Sequence, residues 1–363
     1  MKTGIKAQFL VSPFFTFFLT HTMQLGVGAL SFQREIAAHA GHDAWMVVIF
    51  TGVMVHIWIW MIYTVMNKEK QSIIHIHHKV WGTWLGGIMS FIFSLIIFSY
   101  SLVYLEAILE IIRVWIFPSL NKWTLVAVYL MIVYSIVVSG FRTVVGISVF
   151  SVLFPLFLWL TFLNPLEVAN YRNLLPIGDH SIKELLLSMK TMSFGFLGFE
   201  LLLFYYPFLQ NPEKSQKWAH LGNLYTTCIY LILILVTTVY FSPVHLSHTV
   251  WPTLSMWQIV RFPFIERFEV IGITIWVIIL LPNICLSCWA ASRGLKELFR
   301  IRQKSMLPWL LSILFLMICF ISGRYAIESL SRIISNISFY IIVVYIPLFF
   351  VVYHIRNRME KYG

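Results

Sequence analysis

The sequence predicts an all-α polytopic membrane protein with about ten transmembrane helices, and three observations carry that expectation. Of the 363 residues, 59% are hydrophobic and only 11% charged, with a mean hydropathy of +0.82, whereas a soluble domain carries about a quarter charged residues. The apolar residues gather into ten segments, most of them long enough to cross about 30 Å of hydrocarbon as helices. Strand-length alternation is absent, which excludes a β-barrel.

Segment one, residues 9–34, starts as an apolar helix, FLVSPFFTFFLTHTM, and then interrupts itself at Gln24-Leu25-Gly26-Val27-Gly28-Ala29. Glycines permit non-helical torsions and close backbone approach. Unbonded amides are costly in hydrocarbon, so an unwound turn survives there only around a cavity or a ligand. Segments two to five follow at 43–66, 81–113, 123–139 and 143–163. Segment six, 184–209, breaks in the same manner at Phe194-Gly195-Phe196-Leu197-Gly198-Phe199-Glu200. Segments seven to ten occupy 218–241, 269–292, 307–322 and 336–354. Interruptions at corresponding places in two halves point to a midplane binding site. Five segments per half force the second half to run inverted, which is the logic of a LeuT-type five-plus-five architecture with broken helices one and six. The first five-helix repeat is then 1–165 and the second 166–363, meeting within residues 164–183.

Segment one reads as retained and not cleaved. Ala38-His39-Ala40 resembles a cleavage triplet, but His21, Gln24, Gln33 and Arg34 separate it from the apolar core. The net charge of +11 reads as topology: with the amino terminus in the cytoplasm, sixteen Lys/Arg, from Lys2 to Lys361, lie inside against Glu69, Glu213, Glu297 and Glu360. That is the positive-inside pattern, and it places both termini in the cytoplasm. The basic balance therefore implies contact with anionic lipid and excludes a nucleic-acid surface. Cys285 and Cys288 form a lone C-x-x-C on one helical face, short of the four ligands of a structural zinc site. His75, His77 and His78 read as an inner-loop cluster without a fourth metal ligand, and no metal or cofactor is expected. Residues 242–268, with Pro243, Pro252, Pro263, Trp251 and Trp257, read either as a lid folding toward the cavity or as an interfacial anchor.

The run from Gln24 to Leu30, followed by Ala40-Gly41-His42-Asp43-Ala44-Trp45, resembles the start of the spore-germination receptor B subunits, the endospore germination permease family. Asn173-Leu174-Leu175-Pro176 before segment six, with Gly198-Phe199-Glu200 and Tyr206-Pro207 after it, is similar to the second-half pattern of that family. The glycine motif alone indicates only the wider amino acid, polyamine and organocation transporter superfamily. Where the family commonly has Pro-Arg after the first break, Ser31-Phe32-Gln33-Arg34 keeps the arginine and lacks the proline. The resemblance covers essentially the whole chain. It implies a nutrient sensor in the inner membrane of a bacterial spore, working with an A subunit and a lipoprotein C subunit. Germinants of such receptors are typically amino acids, sometimes sugars or nucleosides.

A zwitterionic amino acid needs positive potential at its carboxylate. The amides of Gly26, Val27, Gly28 and Ala29, opening the outer half-helix, supply it. Its ammonium needs acceptors, for which the carbonyls at Met23, Gln24 and the break Phe194, Gly195, Phe196, Leu197, with Gly198 closing it, are the natural candidates. The competing explanation is that the glycines only allow close helix packing. Tyr100 and Ser101 on segment three, and Asn283 and Ser287 one turn apart on segment eight, are further lining candidates, with helix–helix hydrogen bonding as the alternative for the latter pair. Glu106 and Glu110 share a face with Arg113 and read as an outer-vestibule ion pair or as a water or ion path. Glu200 reads as a cap on the inner half-helix or as a titrating coupling group.

No nucleophilic triad, P-loop or dinucleotide fingerprint occurs, so no enzyme activity is assigned. Three functions stay open: a germinant receptor subunit, a secondary amino-acid transporter using the same pocket, and an assembly subunit that binds nothing.

Overall fold

The computed structural model describes residues 5–263, 265–321 and 324–362. Among these residues the regular structure is helical, with two isolated backbone bridges and no strands. Segment one is α1 (Phe15–Gln24) and α2 (Gly28–Ala40); segment two is α3 (Ala44–Glu69). Segment three is α4 (Ile73–Trp115), segment four α5 (Lys122–Val138), and segment five α6 (Phe141–Leu153) with α7 (Leu156–Thr161). Segment six starts as α8 (Ile182–Met192), passes through short 3-10 turns and ends with α9 (Leu202–Tyr205). The remaining elements are α10 (Gln216–Tyr240), α11 (Pro243–His248), α12 (Pro252–Trp257), α13 (Phe268–Phe299), α14 (Gln303–Phe320), α15 (Arg324–Tyr340) and α16 (Ile346–Tyr362).

Seven helical stretches are long and apolar enough to cross a membrane by themselves, and the pair Ile182–Phe196 and Phe199–Phe208, bent by 48°, makes an eighth. The first of the seven, Gly28–Glu69, holds two expected segments, because the chain turns at Gly41 (φ +44°) between α2 and α3. With α1 and the shorter apolar helix α5, all ten expected apolar segments fall on helix. Local chemistry sets several of the starts. Asn121 Oδ1 accepts from the N–H groups of Trp123 and Thr124 at α5, and Ser181 and Glu184 form a reciprocal capping box at α8. The centre of the bundle is the pairing of α4 with α13, against which α1, α6 and α5 pack.

One end of the bundle gathers the basic residues. There Lys79 pairs with Glu69 at 2.7 Å, Lys70 approaches Glu213 at 3.9 Å, and Arg142 donates to the Gln8 carbonyl at 3.0 Å. Lys2 lies outside the described residues, as do the side chains of Glu360 and Lys361. The opposite end, which we call the outer end, carries the connections 162–181 and 241–267.

Three sequence expectations change. His75, His77 and His78 are on the first turns of α4, ahead of a kink at Gly82 (φ +79°), and not in a loop. His77 is fully buried, with Nδ1 2.9 Å from Ser90 Oγ and Nε2 bonded to Tyr345 OH. A ring so engaged on both nitrogens serves packing between α4 and the last span. Glu106 pairs with Lys122 of α5 at 2.9 Å, and not with Arg113 of its own helix, because Lys122 reaches across to the buried carboxylate while also donating to the Ile321 carbonyl at 2.8 Å. Within residues 242–268, α12 packs inward, with Trp257 fully buried and its Nε1 donating to Thr161 Oγ1 at 3.0 Å, so that tryptophan is no interfacial anchor.

The segment Ala40 to Trp45 has a mechanical task. The Asp43 carboxylate, fully buried, accepts from the N–H groups of Gly178 (2.8 Å), Asp179 (3.0 Å) and His180 (3.2 Å), with His180 Nδ1 at 3.0 Å. His42 Nδ1 lies 2.6 Å from the Asn173 carbonyl oxygen. Residues 170–181 are thus strapped across the corner between α2 and α3. Replacing Asp43 by Ala removes the common acceptor of the N–H groups at 178–180, which lie on exposed or half-buried residues, so each lost bond costs about 0.5–1.5 kcal/mol. Asp43→Ala is expected to lower the melting temperature in detergent and to accelerate amide exchange at 178–180; unchanged exchange there would show that the clasp holds nothing.

Candidate functional site

Helix α1 stops at Leu25, whose ψ of +74° leaves the helical range, and α2 begins three residues later at Gly28. The second break runs from Leu197, in extended conformation, through Gly198 at φ +108°. That torsion is strained for any side chain, and a Cβ on Gly198 would also strike Met23. A Cβ on Gly28 would lie 3.3 Å from the Gly195 Cα. The two breaks therefore lie directly against each other, and their glycines are what lets the backbones touch.

Breaking a helix inside an apolar bundle leaves carbonyls that must be bonded. Asn283 Nδ2 donates to the Thr22 carbonyl at 2.8 Å and Tyr104 OH to Met23 at 3.2 Å, and the single O–H of Tyr230 is shared between the carbonyls of Gln24 (2.7 Å) and Gly195 (2.9 Å). Gln24 Nε2 donates to Asn223 Oδ1 at 2.9 Å and reaches the Phe196 carbonyl at 3.5 Å. Of the carbonyls that the sequence offered to a ligand ammonium, those of Met23, Gln24 and Gly195 are thus met by tyrosines of α4 and α10, that of Phe196 by Gln24 and that of Phe194 by the Leu197 N–H. Glu200 is fully buried. Its Oε2 accepts from the Gly198 N–H and its Oε1 from Tyr100 OH, both at 2.8 Å.

The amide side of the first break is different. Ala29 N–H closes on the Gly26 carbonyl at 3.3 Å, while the N–H groups of Gly26, Val27 and Gly28 have no acceptor among the described residues. Three buried oxygens nearby in sequence to the contacts above, Gln24 Oε1, Asn283 Oδ1 and Ser287 Oγ, also lack a hydrogen-bond partner.

A cavity of about 580 Å³ reaches Val27 and Gly28 from the outer end. Its floor includes Val27, Gly28 and Phe194, and its walls carry Arg34, Lys190 and Arg332 with Glu35 and Glu110. Trp251 and Phe339 supply aromatic faces. Toward the basic end the path is shut: Val11 N–H donates to the Phe208 carbonyl at 2.9 Å and Gln210 N–H to the Val11 carbonyl at 2.8 Å, joining the start of segment one to the end of segment six.

Of the residues singled out in sequence, Gln24, Gly26, Val27, Gly28 and Ala29 meet Phe194, Gly195, Phe196, Leu197 and Gly198 at the crossing. Tyr100 joins through Glu200 and Asn283 through Thr22. Ser101 does not join, since its hydroxyl donates back to the Phe98 carbonyl at 2.5 Å. Glu110 lines the cavity, whereas Glu106 is buried in its pair with Lys122. Sequence reading missed Tyr104, Tyr230, Lys190 and the polar face of α15, where Ser331, Arg332, Ser335 and Asn336 line the cavity. The signal was present: these residues recur at helical spacing just before the apolar run of segment ten, as they would on a helix facing water within a membrane.

The sequence model of the family described as "Spore germination protein" matches residues 10–327. The spore germination protein GerQB of Bacillus cereus is 40% identical over 357 residues, 98% of this chain and 99% of that protein. YndE of Bacillus subtilis (strain 168), also a spore germination protein, is 23% identical over 93% of this chain and 94% of its own length. Among solved structures, MhsT in complex with L-phenylalanine superposes with a TM-score of 0.65 over 93% of this chain and 87% of that one. At 14% identity that likeness shows the fold, which is of LeuT type.

Among the described residues, the Tyr230 hydroxyl is the one within bonding distance of carbonyls on both breaks. Tyr230→Phe should lower stability by about 2 kcal/mol, the cost of leaving buried carbonyls unpaired, read as a fall in melting temperature. A melting temperature equal to that of the unaltered protein would show that the hydroxyl does not hold the crossing together.

Proposed function

The chain belongs to the family of spore germination proteins, and we propose that it is the membrane subunit of a nutrient germinant receptor that binds an amino acid where the cavity ends on the first break. The observation that carries this reading is the set of unbonded N–H groups at Gly26, Val27 and Gly28, the last two on residues that line a cavity walled by Arg34, Lys190 and Arg332. A carboxylate is the group that helix-start amides and surrounding cations attract. With the break carbonyls engaged by tyrosines, the ammonium is received by side-chain oxygens on the cavity wall, among them Ser31, Ser335 and Asn336. The side chain of the ligand then faces Phe194, Trp251 and Phe339. That a protein of similar fold was solved with L-phenylalanine supports the choice of ligand class.

The same reading places the chain in the spore inner membrane with both termini cytoplasmic, beside an A subunit and a lipoprotein C subunit, and divides it into repeats 1–165 and 166–363. Ligand shifts the protein by binding one conformation better than another. Bridging the two breaks fixes the placement of α2 against α8, and the basic end reports it to the partners. One observation favours a secondary transporter instead: the inner closure is a short backbone bridge at Val11 and Leu209, a contact that separates without unfolding a helix. Uptake of radiolabelled amino acids into proteoliposomes decides between the two.

Gly28→Val should abolish the response of spores to nutrient amino acids at normal protein levels, because the side chain covers the amides and presses on Gly195. The smaller Gly28→Ala should raise the half-effective concentration about tenfold, one 1.4 kcal/mol step. Full sensitivity in the valine variant would sink the anion site. Glu200→Gln should slow germination without altering ligand affinity, since Glu200 ties the second break to Tyr100 and touches no part of the cavity; an unchanged germination rate would reduce Glu200 to a replaceable cap.

A further inference from the structure

A second cavity, about 410 Å³, lies on the other side of α2, bounded by the strap and by α11. Its volume is within the roughly 300–1,000 Å³ of small-molecule pockets. The wall combines an apolar surface, Ala37, Ala38, Phe241 and Leu246, with polar groups on Arg34, Glu35, His42, Asn173, Thr238 and Ser247. Arg34 and Glu35 line this cavity and the larger one alike, so α2 is the partition between them. Among the described residues Arg34 has no carboxylate partner, and Glu35 is held by a single bond from Ser31 Oγ at 2.9 Å on the side of the larger cavity.

We propose that this second cavity is a modulatory site for a small zwitterion with an apolar side chain, its carboxylate on Arg34, its ammonium on Glu35 and its side chain against Ala38, Phe241 and Leu246. An uncompensated guanidinium next to a lightly held carboxylate is the complement of that ligand, and the apolar wall beside them takes no other part of it. Occupancy joins α2 to the strap and to α11, and it withdraws Glu35 from Ser31. Since α2 also carries the amides at the floor of the larger cavity, a ligand here alters affinity there, and the coupling is reciprocal.

The site goes beyond the germinant site proposed above, and the test separates the two. The full-length protein in lipid nanodiscs is photolysed with L-photo-leucine, a diazirine amino acid, and the adducts are mapped by mass spectrometry. Adducts on 37–42 and 243–247 that saturate with concentration are expected, together with their loss in Ala38→Trp, where an exposed wall residue fills the cavity. Ser247→Trp, also at an exposed position, serves should the first variant fail to fold. Adducts on 331–339 report the larger cavity independently. Labelling there but not at 37–42 and 243–247 overturns the second site, as does no labelling at all, or labelling of 37–42 that persists in the filled variants. Labelling confined to the second cavity keeps this inference and removes the germinant site. In spores, the filled variant should shift the half-effective germinant concentration several-fold with the maximal response kept; an unmoved dose response would show the cavity to be uncoupled.

Discussion

The constraint on which the rest of the structure depends is that backbone polar groups exposed by two helix breaks must be bonded inside an apolar bundle. Each break frees carbonyls at a depth where no solvent replaces the lost helix bonds. The protein meets this with side chains from helices distant in sequence: Tyr104 from α4, Tyr230 from α10 and Asn283 from α13 all donate into the breaks. Those donors fix where the three helices stand around α1. The Tyr230 hydroxyl lies within bonding distance of a carbonyl on each break, so one phenol ring spans the crossing. The glycines complete the arrangement, Gly198 by its torsion and Gly28 by its contact with Gly195.

That solution is one-sided, and the asymmetry is what suggests function. The carbonyls of Thr22, Met23, Gln24, Gly195 and Phe196 are met by side chains, but the N–H groups that start α2 are not, and of these residues Val27 and Gly28 line the cavity. A fold that only needed close helix packing would have no reason to run an open cavity onto the unsatisfied half. The two explanations weighed from sequence, glycines for packing and glycines for ligand access, therefore hold at different atoms of the same break. Packing governs the faces of Gly28 and Gly198 that meet the opposite break, while the amides from Gly26 to Gly28 are left for a guest.

How much of this was legible in the sequence follows from the range of the forces involved. The ten segments were legible because burial in hydrocarbon is a property of each stretch by itself, and the breaks were legible because glycine marks them locally. Asn283 stood out as a polar group on an apolar helix. Its target, the Thr22 carbonyl, did not, because nothing in a single sequence sets the rotation of α13 toward α1. The same holds for Lys122, which outcompetes the nearer Arg113 for Glu106 by reaching across from another helix. Asp43 was noticed as part of a recurring pattern, but its work is done at backbone amides, which carry no side-chain signature. The polar face of α15 was lost for another reason. A search for apolar runs begins the last span at 336 and leaves aside the turns that line the cavity.

The distribution of ties then shows where motion is cheapest. Helix α2 is bound to the outer end: Ser188 Oγ of α8 donates to the Ile36 carbonyl at 2.9 Å, Thr253 Oγ1 of α12 to the Ala29 carbonyl at 2.8 Å, and the strap holds the corner at Asp43. Gln33 adds a bond to Thr253 at 2.7 Å. Helix α1 is bound elsewhere, with His21 against Thr226 of α10 at 2.8 Å and the Thr22 carbonyl held by Asn283 of α13. Along the chain, Leu25, Gly26 and Val27 join the two groups. A rotation of α2 with α8, α12 and the strap as one body keeps the bonds among them and strains those to its neighbours, Tyr230 with Gly195, Trp257 with Thr161 and Asn170 with the Val239 carbonyl, whereas moving α2 alone would break several buried ones as well. A ligand seated on the amides at the hinge acts where the two bodies join, so small changes in its contacts become a displacement of the whole outer group.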